Sequence, residues 1–279
     1  MANNELKLNT FIKRFISGIL LLIASLYSLY YGGLLLLFVN GFVSLIGLFE
    51  LYRAMDLSKS YFAYLNYLLS ILYYFLIYKA SGYTVIMLII LALMINLIYY
   101  VISYPKYKIN EVILAIFGFL YVTVLFSFVY LVRNFPIYGK YYIWLMLISS
   151  WGCDTFAYCI GMLFGKNKLF KTLSPHKSIE GAIGGIVGAG LIGAIYGILV
   201  NKRLVALNIS VPLCIFVCIV CSVISQLGDL VASAIKRDFK LKDYGELIPG
   251  HGGILDRFDS IIFTAPAIYC IILIFYYIN

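Results

Sequence analysis

A polar segment from Ser233 to Asp259 interrupts a very apolar C-terminal half. Of the 12 Asp and Glu residues in the chain, six lie in or just before it: Asp229, Asp238, Asp243, Glu246, Asp256 and Asp259. Its basic residues are Lys236, Arg237, Lys240, Lys242 and Arg257. Carboxylates bind hard divalent cations, and Lys and Arg bind phosphate oxygens. Because dense charge beside membrane-like sequence is costly, the segment is predicted to hold a cation and phosphates together.

A glycine-rich turn lies inside this segment, at Pro249, Gly250, His251, Gly252 and Gly253. Glycine lacks a Cβ, so backbone N–H groups here are expected to approach an anion closely. His251 is a candidate phosphate or base contact, although a loop histidine is usually just solvated. The chain's only other histidine is His176, so a zinc site, which needs three or four N or S ligands, is not expected.

Upstream of the polar segment, polar residues recur at helical spacing. Ser222, Gln226, Asp229, Ser233 and Lys236 step by four, three, four and three residues. This is a polar stripe on one helix face, and unmet polar groups are costly in hydrocarbon. The stripe is therefore predicted to face the protein interior and a water-filled cavity. Asp229 and Asp256 are expected to meet across the following hairpin and share a metal ion.

A second charged loop covers residues 164–180. Ser174-Pro175 predicts a turn, and Ser178 is a candidate N-cap of the helix that follows. With Lys177 nearby, this helix start is a candidate anion site; an ordinary positively charged cytoplasmic loop is the alternative.

An acidic residue, Asp154, lies well inside the apolar run that precedes this loop. Ser150, Tyr158 and Gly161 are spaced from it by three or four residues, which predicts one shared helix face. An acid buried in a membrane helix favours a functional role over a merely satisfied side chain. After the loop, the small-residue spacings Gly181/Gly185, Gly184/Gly188 and Gly193/Gly197 favour close helix packing.

Composition predicts the fold class. The chain of 279 residues is 63% hydrophobic and only 12% charged, which is typical of a polytopic membrane protein and not of a soluble domain. Nine apolar runs are long enough to be spans: about 15–31, 33–51, 62–78, 83–102, 112–132, 141–163, 181–200, 209–235 and 260–278. The first two are separated by Gly32-Gly33, which predicts a tight hairpin. The fold is expected to be all-α.

Lys and Arg predict the orientation. With the N-terminus in the cytoplasm, sixteen of the 21 Lys and Arg residues fall on the cytoplasmic side, as the positive-inside rule requires. The two charged loops, 164–180 and 236–259, would then face the cytoplasm. No linker divides the chain, so a single domain over 1–279 is expected, with 1–140 as scaffold and 141–279 as the catalytic half.

The net charge and the cysteine content indicate which kinds of partner and site to expect. The net charge of +9 suits anionic lipids or anionic substrates, and nucleic acid is not expected because the charge is spread over short loops. The six cysteines form no CxxC pair and are predicted to be small buried hydrophobes. They are Cys153, Cys159, Cys214, Cys218, Cys221 and Cys270. Near the end of the second run, Glu50 and Arg53 could form an i,i+3 pair at the interface.

The motifs together resemble the phosphatidate cytidylyltransferase family, also called CDP-diacylglycerol synthases. The resemblance rests on Ser233-x-Ile235-Lys236-Arg237, Lys242-Asp243-x-Gly245 and Ile248-Pro249-x-His251-Gly252-Gly253-x-x-Asp256-Arg257-x-Asp259. Asp154, the loop from Ser174 to Gly181 and Gln226-x-Gly228-Asp229 are also similar to the family, so it covers most of residues 150–260. It implies that CTP and phosphatidic acid react to CDP-diacylglycerol and pyrophosphate, with magnesium required and a second cation as an open alternative. It also implies a homodimer with its site facing the cytoplasm. The short N-terminus without a targeting segment favours a bacterial inner membrane over an organellar one, which stays an open alternative.

The resemblance also implies roles for individual residues. Asp229 and Asp256 would hold the metal, supported by Asp259 or Asp243. A larger set would bind the triphosphate and the lipid phosphate, namely Ser174, Lys177, Ser178, Ser233, Lys236, Arg237, Lys242, His251, Gly252, Gly253 and Arg257. Asp154, Glu180 and Gln226 would support the site.

Three other classes fit parts of the pattern. A transporter or channel would also have intramembrane acids and glycine-rich helices, but it predicts polar groups at mid-membrane with a path to both sides. A CTP-dependent lipid or polyprenol kinase would use the same metal and phosphate groups on another acceptor. A purely structural membrane protein would have no use for a buried Asp229.

Overall fold

The computed structural model describes residues 22–78, 82–170, 172–204, 210–245 and 252–278. The helices in these ranges are α1 (Leu22–Tyr31), α2 (Gly33–Ala54), α3 (Tyr61–Ile77), α4 (Gly82–Ile102), α5 (Ile109–Gly118), α6 (Leu125–Arg133), α7 (Gly139–Leu147), α8 (Cys153–Phe164), α9 (Ile179–Leu204), α10 (Val211–Asp238) and α11 (Leu255–Ile278). Short π-helical segments, Phe119–Val124 and Ile148–Gly152, join α5 to α6 and α7 to α8. The predicted all-α class is confirmed.

One small sheet accompanies the helices within the described ranges. Strands β1 (Lys168–Phe170) and β2 (Ser174–Ser178) pair antiparallel. The predicted turn at Ser174-Pro175 is wrong, because both residues belong to β2 and the chain reverses before them. Proline favours turns but is also tolerated on an edge strand, where its missing N–H costs no ladder bond.

The predicted membrane character is confirmed. In the described ranges, seven helical stretches are long and apolar enough to cross a membrane: Gly33–Ala54, Tyr83–Ile102, Ile109–Arg133, Gly139–Phe164, Ile179–Val200, Val211–Asp238 and Leu255–Phe275. Two shorter apolar helices, Leu22–Tyr31 and Tyr61–Ile77, coincide with the other two predicted spans. The first predicted span begins at residue 15, and its part before residue 22 lies outside the described residues. The exact number of spans and the cytoplasmic N-terminus stay predictions.

The helix breaks between the first two runs, at the place where the sequence predicts a tight hairpin. Gly32 alone separates α1 from α2, and both Gly32 and Gly33 have positive φ, 68° and 56°. L side chains rarely adopt this backbone conformation, so the glycine pair allows the break, and the hairpin itself stays a prediction.

Residue contacts divide the chain into two compact units. The first unit comprises 1–130 and 239–257, and the second comprises 131–238 and 258–279. The segment 239–257, which the sequence analysis assigned to the catalytic half, thus groups with the N-terminal helices. The single-domain prediction stays a prediction.

Several buried polar side chains of the first unit are paired within it. The Tyr52 hydroxyl donates to the Ala115 carbonyl, and Asn66 and Asn96 exchange amide hydrogen bonds of 2.9 and 3.2 Å. The Ser70 and Thr123 hydroxyls are 2.7 Å apart. Such pairing is required where lipid offers no alternative partner, and it binds α2, α3 and α4 to α5 and the following π-helical segment.

In the second unit, α9 packs closely between α8 and α10 through its glycines. A Cβ on Gly181 would lie 2.7 Å from the Ala157 carbonyl oxygen, and one on Gly193 would lie 2.7 Å from Cys218 Sγ. These separations leave no room for a side chain. The predicted packing role of the small-residue spacings is therefore confirmed.

The cysteines are all free. Cys153, Cys214, Cys218 and Cys221 are buried as predicted. Cys159 and Cys270 are exposed, so the prediction of burial is wrong for these two, which lie on outward faces of α8 and α11.

Candidate active site

The polar stripe predicted on the eighth span lies on α10 and faces into the second unit. Ser222 is fully buried, and the Gln226 amide donates to the Ala182 carbonyl at 2.9 Å and to Cys153 Sγ at 3.2 Å. Further along, the Ser233 hydroxyl donates to Asp229 Oδ1 at 3.5 Å. Gln226 thus ties α10 to α8 and α9, and the same face carries Asp229.

The loop that contains the β-hairpin supplies a cation to this face. Lys177 Nζ pairs with Asp229 Oδ2, with the two side chains 30% and 24% exposed. Partial burial strengthens such a pair relative to one on an open surface. The 164–180 loop therefore meets the stripe on α10 within the second unit.

The start of α9 holds this loop in place. Ser178 is the predicted N-cap, and its Oγ accepts the Gly181 N–H at 3.1 Å. The Glu180 carboxylate accepts the N–H groups of Lys166 and Asn167, both at 3.2 Å. Glu180 therefore closes the base of the hairpin, which supports the position of Lys177. Ser174 lies at the other end of β2, paired in register with Phe170.

A hydroxyl group that the sequence analysis missed connects two of the acids. Ser260 Oγ lies 3.1 Å from Asp154 Oδ2 and 3.3 Å from Asp259 Oδ1, and it can donate to either. Asp259 is 9% exposed and also accepts the Ser260 N–H at 2.7 Å. Asp154 on α8 and Asp259 on α11 are thus bridged. The available signal was a serine directly after the last motif aspartate.

A close helix approach brings Asp229 into the same neighbourhood. A Cβ on Gly228 would lie 2.8 Å from Phe263 Cβ and 3.2 Å from the Asp259 carbonyl oxygen, so α10 and α11 nearly touch there. The charges of Asp154, Asp229 and Asp259 are near enough to repel, and Lys177 and Lys236 are near enough to offset them. The second unit therefore contains one cluster of three acids and two lysines.

This acidic cluster has the donor chemistry for a hard cation. Among the described residues, no group of three or more His, Cys, Asp or Glu side chains is arranged to hold a metal ion by itself. Magnesium usually takes only one or two carboxylates and completes its shell with water and substrate phosphates. The open arrangement of carboxylates fits that mode of binding and does not fit a closed protein cage.

The predicted shared face around Asp154 is only partly correct. Ser150 is buried and lies in the π-helical segment Ile148–Gly152, where its hydroxyl donates to the Met146 carbonyl. Tyr158 is 70% exposed. A π-helical turn widens the residue spacing, so a regular three- and four-residue pattern does not continue through it.

A further group of predicted site residues belongs to the first unit. Asp256 Oδ2 accepts the N–H of Tyr244 at 2.9 Å and of Gly253 at 3.0 Å. It therefore joins the two arms of the segment 239–257. Lys242, Asp243 and Arg257 are exposed on the same segment, and Gly252 has a φ of 81°.

Two residues of α2 contact this segment and were not predicted to do so. Glu50 is fully buried and accepts the N–H groups of Ile254 and Leu255 at 3.0 and 2.9 Å. Arg53 donates to the Tyr244 carbonyl at 2.9 Å. The expected i,i+3 pair at the interface is partly confirmed: the Arg53 charge acts on the Glu50 carboxylate, but Glu50 is buried and both side chains direct their hydrogen bonds to the segment 239–257.

Several predicted roles stay predictions. Asp229 belongs to the second unit and Asp256 to the first, and their shared metal ion is not tested. Lys236 and Arg237 occupy the last turn of α10. His251, Glu246 and the Pro249-Gly250 part of the glycine turn lie outside the described residues.

A family comparison agrees with the motif positions. The model of the cytidylyltransferase family matches residues 12–275. The chain belongs to the cytidylyltransferase family. The match includes both units and every residue of the acidic cluster, so the resemblance found in the motifs is confirmed at the level of the family.

Curated relatives in this family are named phosphatidate cytidylyltransferase. The Bacillus subtilis protein is 37% identical over 169 residues, 61% of either chain. A Staphylococcus epidermidis protein is 40% identical over 161 residues, 58% of this chain and 59% of its own, and a Staphylococcus saprophyticus protein is 37% identical over the same length. The alignments thus span about three fifths of the curated relatives.

Proposed function

We propose that this membrane protein is a phosphatidate cytidylyltransferase, which transfers CMP from CTP to phosphatidic acid. The observation that carries the proposal is the cluster of Asp154, Asp229 and Asp259 with Lys177 and Lys236. It lies within the family match and gathers residues from α8, the β-hairpin loop, α10 and α11. Relatives that bear this name in bacteria support the choice of substrates.

The reaction requires two polyanions to meet. A phosphatidate oxygen attacks the α-phosphorus of CTP, the bond from that phosphorus to the oxygen bridging to the β-phosphorus breaks, and pyrophosphate leaves. The phosphatidate oxygen is already anionic, so no strong general base is needed. Positioning and charge neutralisation therefore account for most of the catalysis.

The chain's basic residues have roles in this reaction. Lys177 and Lys236 neutralise phosphate charge from within the cluster, and Arg237, Lys242 and Arg257 bind the triphosphate and the lipid phosphate. Ser174, Ser178, Ser233 and the glycines around His251 complete the substrate contacts. Glu180 and Gln226 hold the hairpin and α10 in position through the hydrogen bonds described above.

Magnesium is the proposed metal, with a second cation as an open alternative. Asp229 would hold it with Asp259, and Asp256 and Asp243 are ligands on the motif resemblance alone. When bound, it polarises the α-phosphate and offsets charge on the leaving pyrophosphate. The carboxylates of the acidic cluster balance the positive charge of Lys177 and Lys236. Because Lys177 pairs with Asp229, it would compete with a bound metal ion for that carboxylate.

Position of the label in the products distinguishes this activity from its main rival. Purified protein in phosphatidate-containing nanodiscs is incubated with CTP labelled at either the α- or the γ-phosphorus, with and without magnesium. Cytidylyl transfer places the α-label in the lipid and the γ-label in pyrophosphate. A lipid kinase would place the γ-label in the lipid, and that result would refute the proposal, as would no labelled lipid at all.

The proposed site faces the cytoplasm of an inner membrane. Lys and Arg asymmetry supports this orientation. Single cysteines introduced at Lys242 and Lys202 in a cysteine-free background are tested with a membrane-impermeant maleimide in intact and opened cells. Lys242→Cys should react only after opening, and Lys202→Cys should react in intact cells. The reverse pattern would contradict the orientation.

A homodimer is also part of the proposal, on the strength of the family resemblance alone. Mass photometry of the protein in nanodiscs should give twice the monomer mass. A single monomer peak at all concentrations would remove the dimer from the proposal without affecting the reaction.

A further inference from the structure

The end of helix α2 holds both arms of the motif segment 239–257. Glu50, in the last two turns of α2, binds the amides of Ile254 and Leu255, and Arg53 binds the Tyr244 carbonyl. Ile254 and Leu255 are the first amides of α11, which lack partners inside that helix. Glu50 and Arg53, one turn apart on α2, therefore hold both described arms of this segment, one before and one after residues 246–251.

The glycines of the motif make room for the Glu50 carboxylate. A Cβ on Gly245 would lie 2.5 Å from Glu50 Oε1, and a Cβ on Gly253 would lie 2.5 Å from Glu50 Oε2. Contacts this short do not occur for real side chains. The two glycines and Glu50 thus form one fitted unit, although their positions in the sequence are far apart.

The held segment carries the carboxylate of Asp256. Asp256 Oδ2 accepts the N–H groups of Tyr244, whose carbonyl Arg53 binds, and of Gly253, which directly precedes the Ile254 bound by Glu50. Movement of either arm would therefore move Asp256. Its place near the start of α11 depends on an acid that is fully buried on α2, and a buried acid persists only when it is well hydrogen-bonded.

We propose that Glu50 and Arg53 are positioning residues for nucleotidyl transfer, acting through the segment 239–257 on Asp256. The inference rests on the proposed function, since it assigns the N-terminal helices a part in that reaction. Glu50 also balances the positive end of α11. The first unit thus contributes more than a membrane scaffold, because its α2 sets the geometry of motif residues distant in sequence.

Glu50→Gln tests this role with little change in volume. The amide keeps one acceptor but presents an N–H₂ group to one of the two backbone amides, which loses its bond. Glu111→Gln is the matched control, since Glu111 Oε1 also accepts a helix-start amide, that of Lys108 at 3.2 Å, at an exposed site on α5. Both are purified in nanodiscs as full chains.

Three measurements follow for each variant. In Glu50→Gln, kcat should fall roughly 10- to 100-fold, the range for residues that orient a ligating group, with the CTP KM changed less than threefold. The magnesium concentration for half-maximal activity should rise. By hydrogen exchange, the peptide containing Ile254 and Leu255 should exchange faster. Glu111→Gln should match the wild type in all three.

The outcomes separate the inference from the proposed function. A wild-type protein that forms no CDP-lipid refutes the function, while the exchange result still reports whether Glu50 holds the amides. Wild-type kcat and magnesium dependence per folded molecule in Glu50→Gln, with only a lower thermal midpoint, would reduce Glu50 to a packing role and overturn the inference. Should this variant not insert folded, Arg53→Gln is measured instead, with the same expected changes in kcat and magnesium dependence and with faster exchange expected in the peptide containing Tyr244; wild-type kcat and magnesium dependence there would overturn the inference.

Discussion

The Lys177 ammonium group pairs with the Asp229 carboxylate, joining strand β2 to helix α10 within the second unit. Lys177 is one of the basic residues proposed to bind phosphate, and Asp229 is the central proposed metal ligand. The pair therefore keeps opposite charges balanced while neither substrate is bound. Because a triphosphate attracts the lysine and a cation attracts the aspartate, loading of the site should open the pair.

Asp229→Asn should abolish turnover while the protein still inserts. Loss of one group that stabilises transition-state charge typically costs about 100- to 1000-fold in kcat. Lys177→Met should instead raise the CTP KM about tenfold, which corresponds to about 1.4 kcal/mol of binding free energy. CDP-lipid formation is measured at varied CTP. Undiminished turnover in Asp229→Asn would remove it from the proposed ligands.

The double variant tests whether the two residues act together. If the pair opens on loading, Lys177→Met in the Asp229→Asn background should cost more than it does alone, because without the carboxylate the lysine binds phosphate without first giving up an ion pair. Strictly additive effects on kcat/KM would show that the pair has no part in substrate loading.

Asp256 is a proposed metal ligand, and its carboxylate also holds the backbone amides of the segment 239–257. Two substitutions distinguish these two roles. Asn keeps an oxygen that can accept the amides of Tyr244 and Gly253, whereas Ala removes it. Both variants should lose at least about 100-fold in kcat if the charge is needed near the phosphates. Only Asp256→Ala should increase hydrogen exchange around Tyr244. An active Asp256→Asn variant would make Asp256 a loop anchor and not a metal ligand.

Local patterns predicted the elements that carry the site but not the contacts across the fold. The stripe from Ser222 to Lys236 follows from helical periodicity, and the Ser178 N-cap follows from its place before an apolar run. Both depend on neighbours within a few residues. Glu50 contacts amides about two hundred positions away, and nothing in its local sequence encodes that partner.

The smaller differences between the predicted and the observed elements also arise from contacts that local sequence does not show. The β-hairpin was missed because proline usually indicates a turn, while here Glu180 fixes the hairpin's base by accepting the Asn167 amide. Between Ser150 and Asp154 the predicted helical spacing is interrupted by a π-helical segment, which periodicity does not reveal. The bridging hydroxyl of Ser260 depends on how α8 meets α11, a packing relation that a single sequence does not give.

Ser260→Ala should lower kcat by roughly tenfold without loss of folded protein. The substitution removes the hydroxyl that lies between Asp154 and Asp259, leaving two acids with less hydrogen bonding in a buried place. Ser149→Ala is the control, since its hydroxyl is also buried but donates to the Leu145 carbonyl one turn earlier and not to an acid of the cluster. Steady-state rates and thermal midpoints are compared. Equal rates in the two variants would exclude a role for Ser260 in ordering the acids.

Gly228→Ala should separate Asp229 from Asp259 and so reduce activity more than stability. Its Cβ would lie 2.8 Å from Phe263 Cβ, so α10 and α11 must move apart by several tenths of an ångström. Displacement of reacting groups by about 1 Å can cost roughly 100-fold in rate, and a smaller shift should cost about tenfold.

Gly152→Ala is the matched control for this displacement. The nearest atom to its new Cβ is 3.7 Å away, an ordinary contact, so rate and thermal midpoint should stay near those of the wild type. Measured against it, Gly228→Ala should show the lower kcat and a higher magnesium requirement, because both acids on the two helices are proposed to serve one cation. A Gly228→Ala variant with normal kcat would mean that the spacing of α10 and α11 does not control the acidic cluster.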